Sequence, residues 1–131
     1  MMPPTLQAWH KVIQSRDELA LDHLLAEEVV FHSPVVHTPQ VGKAVTSKYL
    51  KAAMHVLGGP GFQYVREVWS ETDAVLEFVN VIDGITLNGI DMIRWNAAGQ
   101  IVDFKVMVRP LKAVNMLHQK MGEMLQATSG R

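Results

Sequence analysis

The run Gly58-Gly59-Pro60-Gly61 divides this chain into two stretches with different hydrophobic periods. Three glycines around a proline can neither continue a helix nor sit in a strand interior at acceptable entropic cost, so an element must end there. Before the break, apolar residues recur every three or four positions. After it they alternate. Helices first and a run of alternating strands afterwards confine the chain to an α+β layer fold, with helices gathered on one face of a curved, mostly antiparallel sheet. At 131 residues the chain is read as a single domain, residues 1–131, large enough to bury a core without covalent staples.

Each stretch resolves into elements. Pro3-Pro4-Thr5 opens a helix whose stripe is Leu6, Trp9 and Val12/Ile13. Ser15-Arg16-Asp17-Glu18 matches a capping box, which starts a second short helix carrying Leu21, Leu24 and Leu25 inward. A β run from Val29 to Ser33 stops at Pro34, and residues 34 to 42 form a loop with two prolines. Lys43 to Leu57 reads as a third helix with Val45, Tyr49, Ala52/Ala53 and Val56 on one face. Four strands follow, Phe62–Trp69, Ala74–Ile82, Ile85–Trp95 and Ile101–Arg109, joined by short turn-like connections such as Asp83-Gly84. Arg109-Pro110 ends the last strand. Residues 111–131 form a C-terminal helical extension, with Val114, Leu117/His118, Met121 and Leu125 at helical spacing over Leu111 to Ala127.

Composition excludes several partners. A net charge of −1, with 19% charged residues, supplies no electrostatic reason to expect nucleic acid or an anionic membrane. The start Met1-Met2-Pro3-Pro4 lacks the basic and apolar regions of a signal peptide, and no stretch is long enough to span a bilayer. Together with the absence of cysteine, these features read as a cytoplasmic protein. Six histidines are present, but no spacing suggests converging metal ligands, so neither metal nor cofactor is expected. His10 and His23 read as surface residues, His32 as facing outside the cup and His55 as suited to a helix C-terminus. His37, in the proline loop, is placed at the expected mouth of the sheet's concave side.

One residue breaks the alternation. In Gly89-Ile90-Asp91-Met92-Ile93-Arg94-Trp95, Asp91 shares its face with Ile93 and Trp95 while Met92 and Arg94 point the other way. A carboxyl aimed at an apolar interior is protonated, paired or chemically active. The matching faces supply Phe31, Ser33 and Val35 from the first strand and loop, and Leu76, Phe78 and Asn80 from the middle strand. Phe104, Val106 and Val108 come from the last strand, with Trp9, Tyr49 and Met54 closing from the helices. An apolar cavity with a few polar groups is the usual composition of a small-molecule site. The same residues could instead simply fill a core, with Asp91 a structural acid bonded to Trp9, Tyr49 or a backbone amide. Ser33 before Pro34 could be a turn hydroxyl, and Asn80 could satisfy a bulge.

This order of elements, with Leu25-Ala26-Glu27-Glu28-Val29-Val30-Phe31-His32-Ser33-Pro34, Gly42 after the proline loop, and Ile90-Asp91-Met92-Ile93-Arg94-Trp95-Asn96 followed by Gly99-Gln100-Ile101, resembles the nuclear transport factor 2-like superfamily. That cone-shaped, cystatin-like α+β fold is shared by ketosteroid isomerases, SnoaL-like polyketide cyclases, limonene epoxide hydrolases and scytalone dehydratases. The resemblance runs from Trp9 through Arg109. It implies a fold more than a chemistry, since one fold hosts many activities. Against the ketosteroid isomerases, the general-base position falls on Ser33, a poor base at neutral pH. The oxyanion-hole tyrosine falls on Trp9, still an N–H donor, and the partner acid falls on Asp91. One of three parts is retained, so steroid isomerisation by that mechanism is not expected. The epoxide hydrolase positions fall on Phe78, Asn80 and Val106, which lack the required acid, base and arginine. The SnoaL-like cyclases resemble the chain more closely, because a single pocket aspartate at the position of Asp91 is thought to suffice there.

Three readings follow. The first is a metal-free small-molecule isomerase, cyclase or lyase using Asp91 as acid/base with Trp9 and Tyr49 as donors, acting on a small apolar or aromatic molecule. The second is a non-catalytic carrier using the same cavity. The third is a dimeric scaffold, because the resemblance implies a homodimer through the outer sheet face, where Val75, Val79 and Val81 would lie beside Glu77 and Arg66. The methionine-rich tail would cover the cone mouth or pack along a neighbouring subunit.

Overall fold

The Gly58–Gly61 break is where the chain passes from the helical layer to the sheet. Gly58 N–H donates to the Met54 carbonyl at 3.1 Å, closing the last turn of a helix that ends at Leu57, and a strand begins at Gln63. The computed structural model describes residues 1–129. Their order is α1 (Pro4–Ser15), α2 (Glu18–Leu24), β1 (Leu25–His32), β2 (Gln40–Val41), α3 (Lys43–Leu57), β3 (Gln63–Trp69), β4 (Asp73–Ile82), β5 (Ile85–Trp95), β6 (Ile101–Arg109) and α4 (Leu111–Ser129).

The six strands form one sheet in the order β2-β1-β6-β5-β4-β3. β3 to β6 make an antiparallel meander joined by short turns, and β1 pairs parallel to β6. The result is α+β, with α1, α2 and α3 against the concave face of a strongly curved sheet and α4 as a C-terminal helix. Alternation decides which side chains reach the interior. On β4, Ala74, Leu76, Phe78 and Asn80 are buried, and on β5 Leu87, Gly89, Asp91, Ile93 and Trp95. Leu6, Trp9 and Val12 from α1 and Leu50, Ala52 and Leu57 from α3 complete the core. Among the described residues no helix is long and apolar enough to cross a membrane.

Several local expectations need correction. The cap of α2 is Asp17, not Ser15: its carboxylate accepts from the backbone N–H groups of Leu19 and Ala20 at 3.1 Å. Ser15 cannot take that role because α1 runs through it and is closed by Arg16 in the left-handed conformation, φ 58° and ψ 30°. β1 begins at Leu25, earlier than Val29, because α2 passes into the strand without a linker. The proline loop contains the short strand β2, which pairs Val41 with Val30 and Gln40 with Phe31.

Among the described residues, none of α4 lines the cavity on the concave side of the sheet. Ala113, Leu117 and Met121 are buried within this chain, where α4 packs along α3 and against β5 and β6.

Gly89 shows how closely the sheet is packed at its inner face. A Cβ placed there would lie 2.5 Å from the Met107 carbonyl and 2.6 Å from the Phe78 ring. Gly89→Val is therefore expected to lower stability by about 1–3 kcal/mol through overpacking. A urea midpoint unchanged from wild type would contradict this.

Candidate functional site

Between α1, the second half of α3, the Gly58–Gly61 turn and the inner faces of β3 to β6 lies a cavity of about 430 Å³. Its wall is mostly apolar. Trp9 and Ile13 come from α1, and Leu50, Ala53, Met54 and Leu57 from α3, at the spacing of one helical stripe. Phe62 and Phe78 stack with ring centroids 5.2 Å apart, and Phe104 and Val106 close the far side. The exposed lining residues are Gln14, Arg16, Gly59 and Pro60, so the mouth opens between the C-terminal ends of α1 and α3.

The polar groups inside form a chain. The Trp9 indole N–H donates to the Tyr64 hydroxyl at 3.0 Å, and that hydroxyl donates to Asp91 Oδ2 at 2.5 Å. Burial in these apolar surroundings pushes the Asp91 carboxyl up from 3.8 to about 7, although the hydrogen bond from Tyr64 works in the opposite direction. Burial, and then the negative charge of Asp91, push the Tyr64 phenol well above its ordinary value. Tyr64 therefore keeps its proton, while Asp91 exchanges one near neutrality. Behind Tyr64, His10 meets the phenol ring edge-on at 5.4 Å and shares a 2.6 Å hydrogen bond with Glu67. His10 is thus half-buried and not the surface residue its helix position suggested. Among the described residues no three His, Asp or Glu side chains converge as a metal site.

Of the residues expected to line a site, the fold brings together Asp91, Trp9, Met54, Phe78, Phe104 and Val106. The others lie elsewhere. Tyr49 is one helical position away from the cavity-lining Leu50 and packs against Phe31, ring centroids 5.6 Å apart, so it offers Asp91 no hydroxyl. Phe31, Leu76 and Ile93 are enclosed in the core, and Val108 and Val35 pack against its edge. Ser33 is a turn residue whose hydroxyl accepts from the Val35 N–H at 3.1 Å. Asn80 ties β4 to α3 by donating to the Leu57 carbonyl at 2.7 Å. Trp95 donates to the Glu71 carbonyl at 2.8 Å, away from the cavity. His37 is exposed and does not line the mouth.

Tyr64 and Arg16 are the functional candidates that sequence reasoning missed. Simple alternation places Tyr64 on the same face as the outward Arg66. A bulge between them, at Val65, reverses that relation and turns Tyr64 inward. No local signal in the sequence marks the bulge.

Comparison with known proteins agrees with this geometry. Residues 6–104 match the SnoaL-like domain family. A steroid delta-isomerase from Pseudomonas aeruginosa superposes with a TM-score of 0.90 at 39% identity, over 97% of this chain and 93% of that one. An uncharacterised protein with a cystatin-like fold from Silicibacter pomeroyi gives 0.85 at 31% identity, over 93% and 85%. An NTF2-like protein from Mesorhizobium loti gives 0.69 at 22% identity, over 81% and 88%, a likeness of fold alone. No curated protein is a significant sequence match. With three quarters of its length matched to one family and its cone superposing on such relatives, the chain belongs to the SnoaL-like domain family and has the nuclear transport factor 2-like, ketosteroid isomerase-like fold.

Proposed function

We propose that this protein is an isomerase-type enzyme that moves a proton on a small, mostly apolar molecule bound in the cavity, with Asp91 as the acid/base. The observation that carries the reading is the Asp91 carboxyl itself. It lines an apolar cavity, is held by Tyr64, and titrates near 7. Such a group is populated in both protonation states at neutral pH, which suits removal of a proton from a carbon acid and its return elsewhere. The 39%-identical steroid delta-isomerase supports the reaction class, and the cavity volume lies within the ~300–1,000 Å³ usual for small-molecule sites.

In the reaction, the Asp91 carboxylate accepts a proton from a carbon next to a carbonyl, leaving an enolate, and returns it at a conjugated position. Tyr64 holds the carboxyl orientation and lowers the cost of its charged form, and Trp9 fixes the phenol in turn. No second carboxylate lines the cavity among the described residues, so the same group both removes and returns the proton. This differs from a division of labour between a base at position 33 and an acid at position 91.

Two pH experiments follow. If the carboxylate is the base, kcat/KM rises about tenfold per pH unit below about 7 and levels off above it. A flat profile between pH 5 and 8 contradicts the assignment. Tyr64→Phe removes the hydrogen bond that lowers the Asp91 pKa, so the inflection should move to higher pH and activity at pH 7 should fall. An inflection that stays or moves downward argues against Tyr64 as the supporting donor.

A homodimer through the outer sheet face is proposed alongside. Val68, Val81 and Met107 are exposed there, with Val75 and Val79 half-buried between them, an apolar surface of the kind that marks association sites. Val79→Asp should halve the mass measured by sedimentation while leaving ligand affinity intact. A mass unaffected by this substitution counts against the interface.

A further inference from the structure

We propose that Arg16 anchors an anionic head group, such as a carboxylate, at the cavity mouth, so that the ligand is an amphipathic acid whose apolar body reaches inward to Asp91. The inference rests on the cavity being the ligand site of the reading above. Arg16 is the only Lys or Arg among the described residues lining that cavity.

Its backbone is unusual for a side-chain-bearing residue. Arg16 occupies the left-handed region, φ 58° and ψ 30°, at a helix C-terminus where glycine would be the least strained choice. Its side chain reaches from the end of α1 to the end of α3. There one guanidinium nitrogen, Nη2, donates to the Met54 carbonyl at 2.5 Å. The guanidinium lies against Gly58, so close that a Cβ at that position would be 2.9 Å from Nη2.

That single bond uses little of a guanidinium with five N–H donors. None of the carboxylates among the described residues is ion-paired with Arg16. The acidic residues next to it in sequence are engaged elsewhere: Asp17 caps α2, and Glu18 lies 3.7 Å from His55. A fixed, permanently charged fork at the rim of an apolar cavity is suited to a planar oxyanion. Asp91, at the opposite end of the polarity pattern, is buried and can be neutral, so the cavity accepts an acid without a fixed negative charge opposing it.

The alternative role for Arg16 is purely structural, as a cap on the exposed carbonyls of α3. Two fluorescent probes with the same apolar body separate the roles: 8-anilinonaphthalene-1-sulfonate and its neutral parent N-phenyl-1-naphthylamine. Wild-type protein should bind the sulfonate about tenfold more tightly, a preference that shrinks in about 0.5 M salt. Arg16→Gln should abolish the preference while leaving affinity for the neutral probe within about twofold, and Arg16→Lys should retain part of it. Ala53→Phe, which fills the cavity, should weaken both probes.

A preference unaltered in Arg16→Gln overturns the proposal. So does an equal loss of both probes in that variant, the signature of a structural cap, and so does sulfonate binding that survives Ala53→Phe. If neither probe binds wild-type protein, the proposal fails together with the cavity reading beneath it. If both bind with equal affinity, only the anchor fails. Loss of turnover in an Asp91 variant tests the reaction separately.

Discussion

Asp91→Asn is expected to abolish turnover and, at the same time, to stabilise the protein above neutral pH. The two effects have one cause. In the unfolded chain the carboxyl ionises with an ordinary pKa of 3.8, whereas in the folded chain burial holds it at about 7. Between those values the folded state retains a proton that the unfolded state has released. Stability from this group is therefore complete below about 4, declines as pH rises to about 7, and is flat above. The gap corresponds to roughly 4 kcal/mol at the upper end, an order-of-magnitude figure. Asparagine has nearly the same shape and cannot ionise. At pH 8 the variant should gain roughly 2–4 kcal/mol over wild type, whereas at pH 4 the two should unfold alike. Activity should fall by about 10²–10⁴, the usual contribution of a general acid/base. Urea unfolding at the two pH values, paired with steady-state assays, reads both effects. A variant no more stable than wild type at pH 8 would mean that Asp91 carries no buried charge there. Retained turnover would sink the catalytic role, and retained ligand affinity without measurable wild-type turnover would favour the carrier reading.

Phe104→Ala should give the largest loss of stability, about 3–5 kcal/mol. Phe104 is 1% exposed and lies opposite Phe31 on β1 and Ile93 on β5. Its ring meets Trp9 edge-on at 4.9 Å and Phe31 at 6.2 Å. Truncation removes the ring that keeps Trp9 in place, and Trp9 in turn holds Tyr64. The vacated space joins the cavity it now walls, so the surrounding side chains have little reason to collapse into it. Native stabilities are only about 5–15 kcal/mol, so the variant should unfold at markedly lower urea and show a shifted Trp9 emission. An apolar ligand filling the enlarged cavity should recover part of the loss by mass action. A cost below about 1 kcal/mol would mean that the wall repacks, contrary to the fixed-cavity description.

Much of this architecture was legible locally. β5 and β6 and α3 occupy Ile85–Trp95, Ile101–Arg109 and Lys43–Leu57, the limits that turn residues and hydrophobic period indicate. Asp91 faces inward because an unbroken two-residue alternation runs from Leu87 to Trp95. The apolar character of the site was likewise readable, because Phe78, Phe104 and Val106 alternate on inward faces. The partners of Asp91 were not. Tyr49 has the chemistry expected of a donor but lies about 100° around α3 from the stripe that meets the cavity, a rotation set by how the helix rests on β1 and α4. Ser33 and Asn80 are polar residues at positions whose alternation points toward the site. Their hydrogen bonds instead serve a turn and the end of α3.

The sequence by itself determined the layers, their order, and the inward aim of one carboxyl on an apolar strand, because period and turn chemistry act over a few residues. Only the tertiary structure decided what that carboxyl meets. The bulge at Val65 turns Tyr64 into the cavity, the packing phase of α3 excludes Tyr49, and the meeting of two helix ends places the mouth beside Arg16 and away from His37. Each of these is set by contacts between segments far apart in the chain, where a shift of one residue reverses a side chain's direction and no local pattern records it.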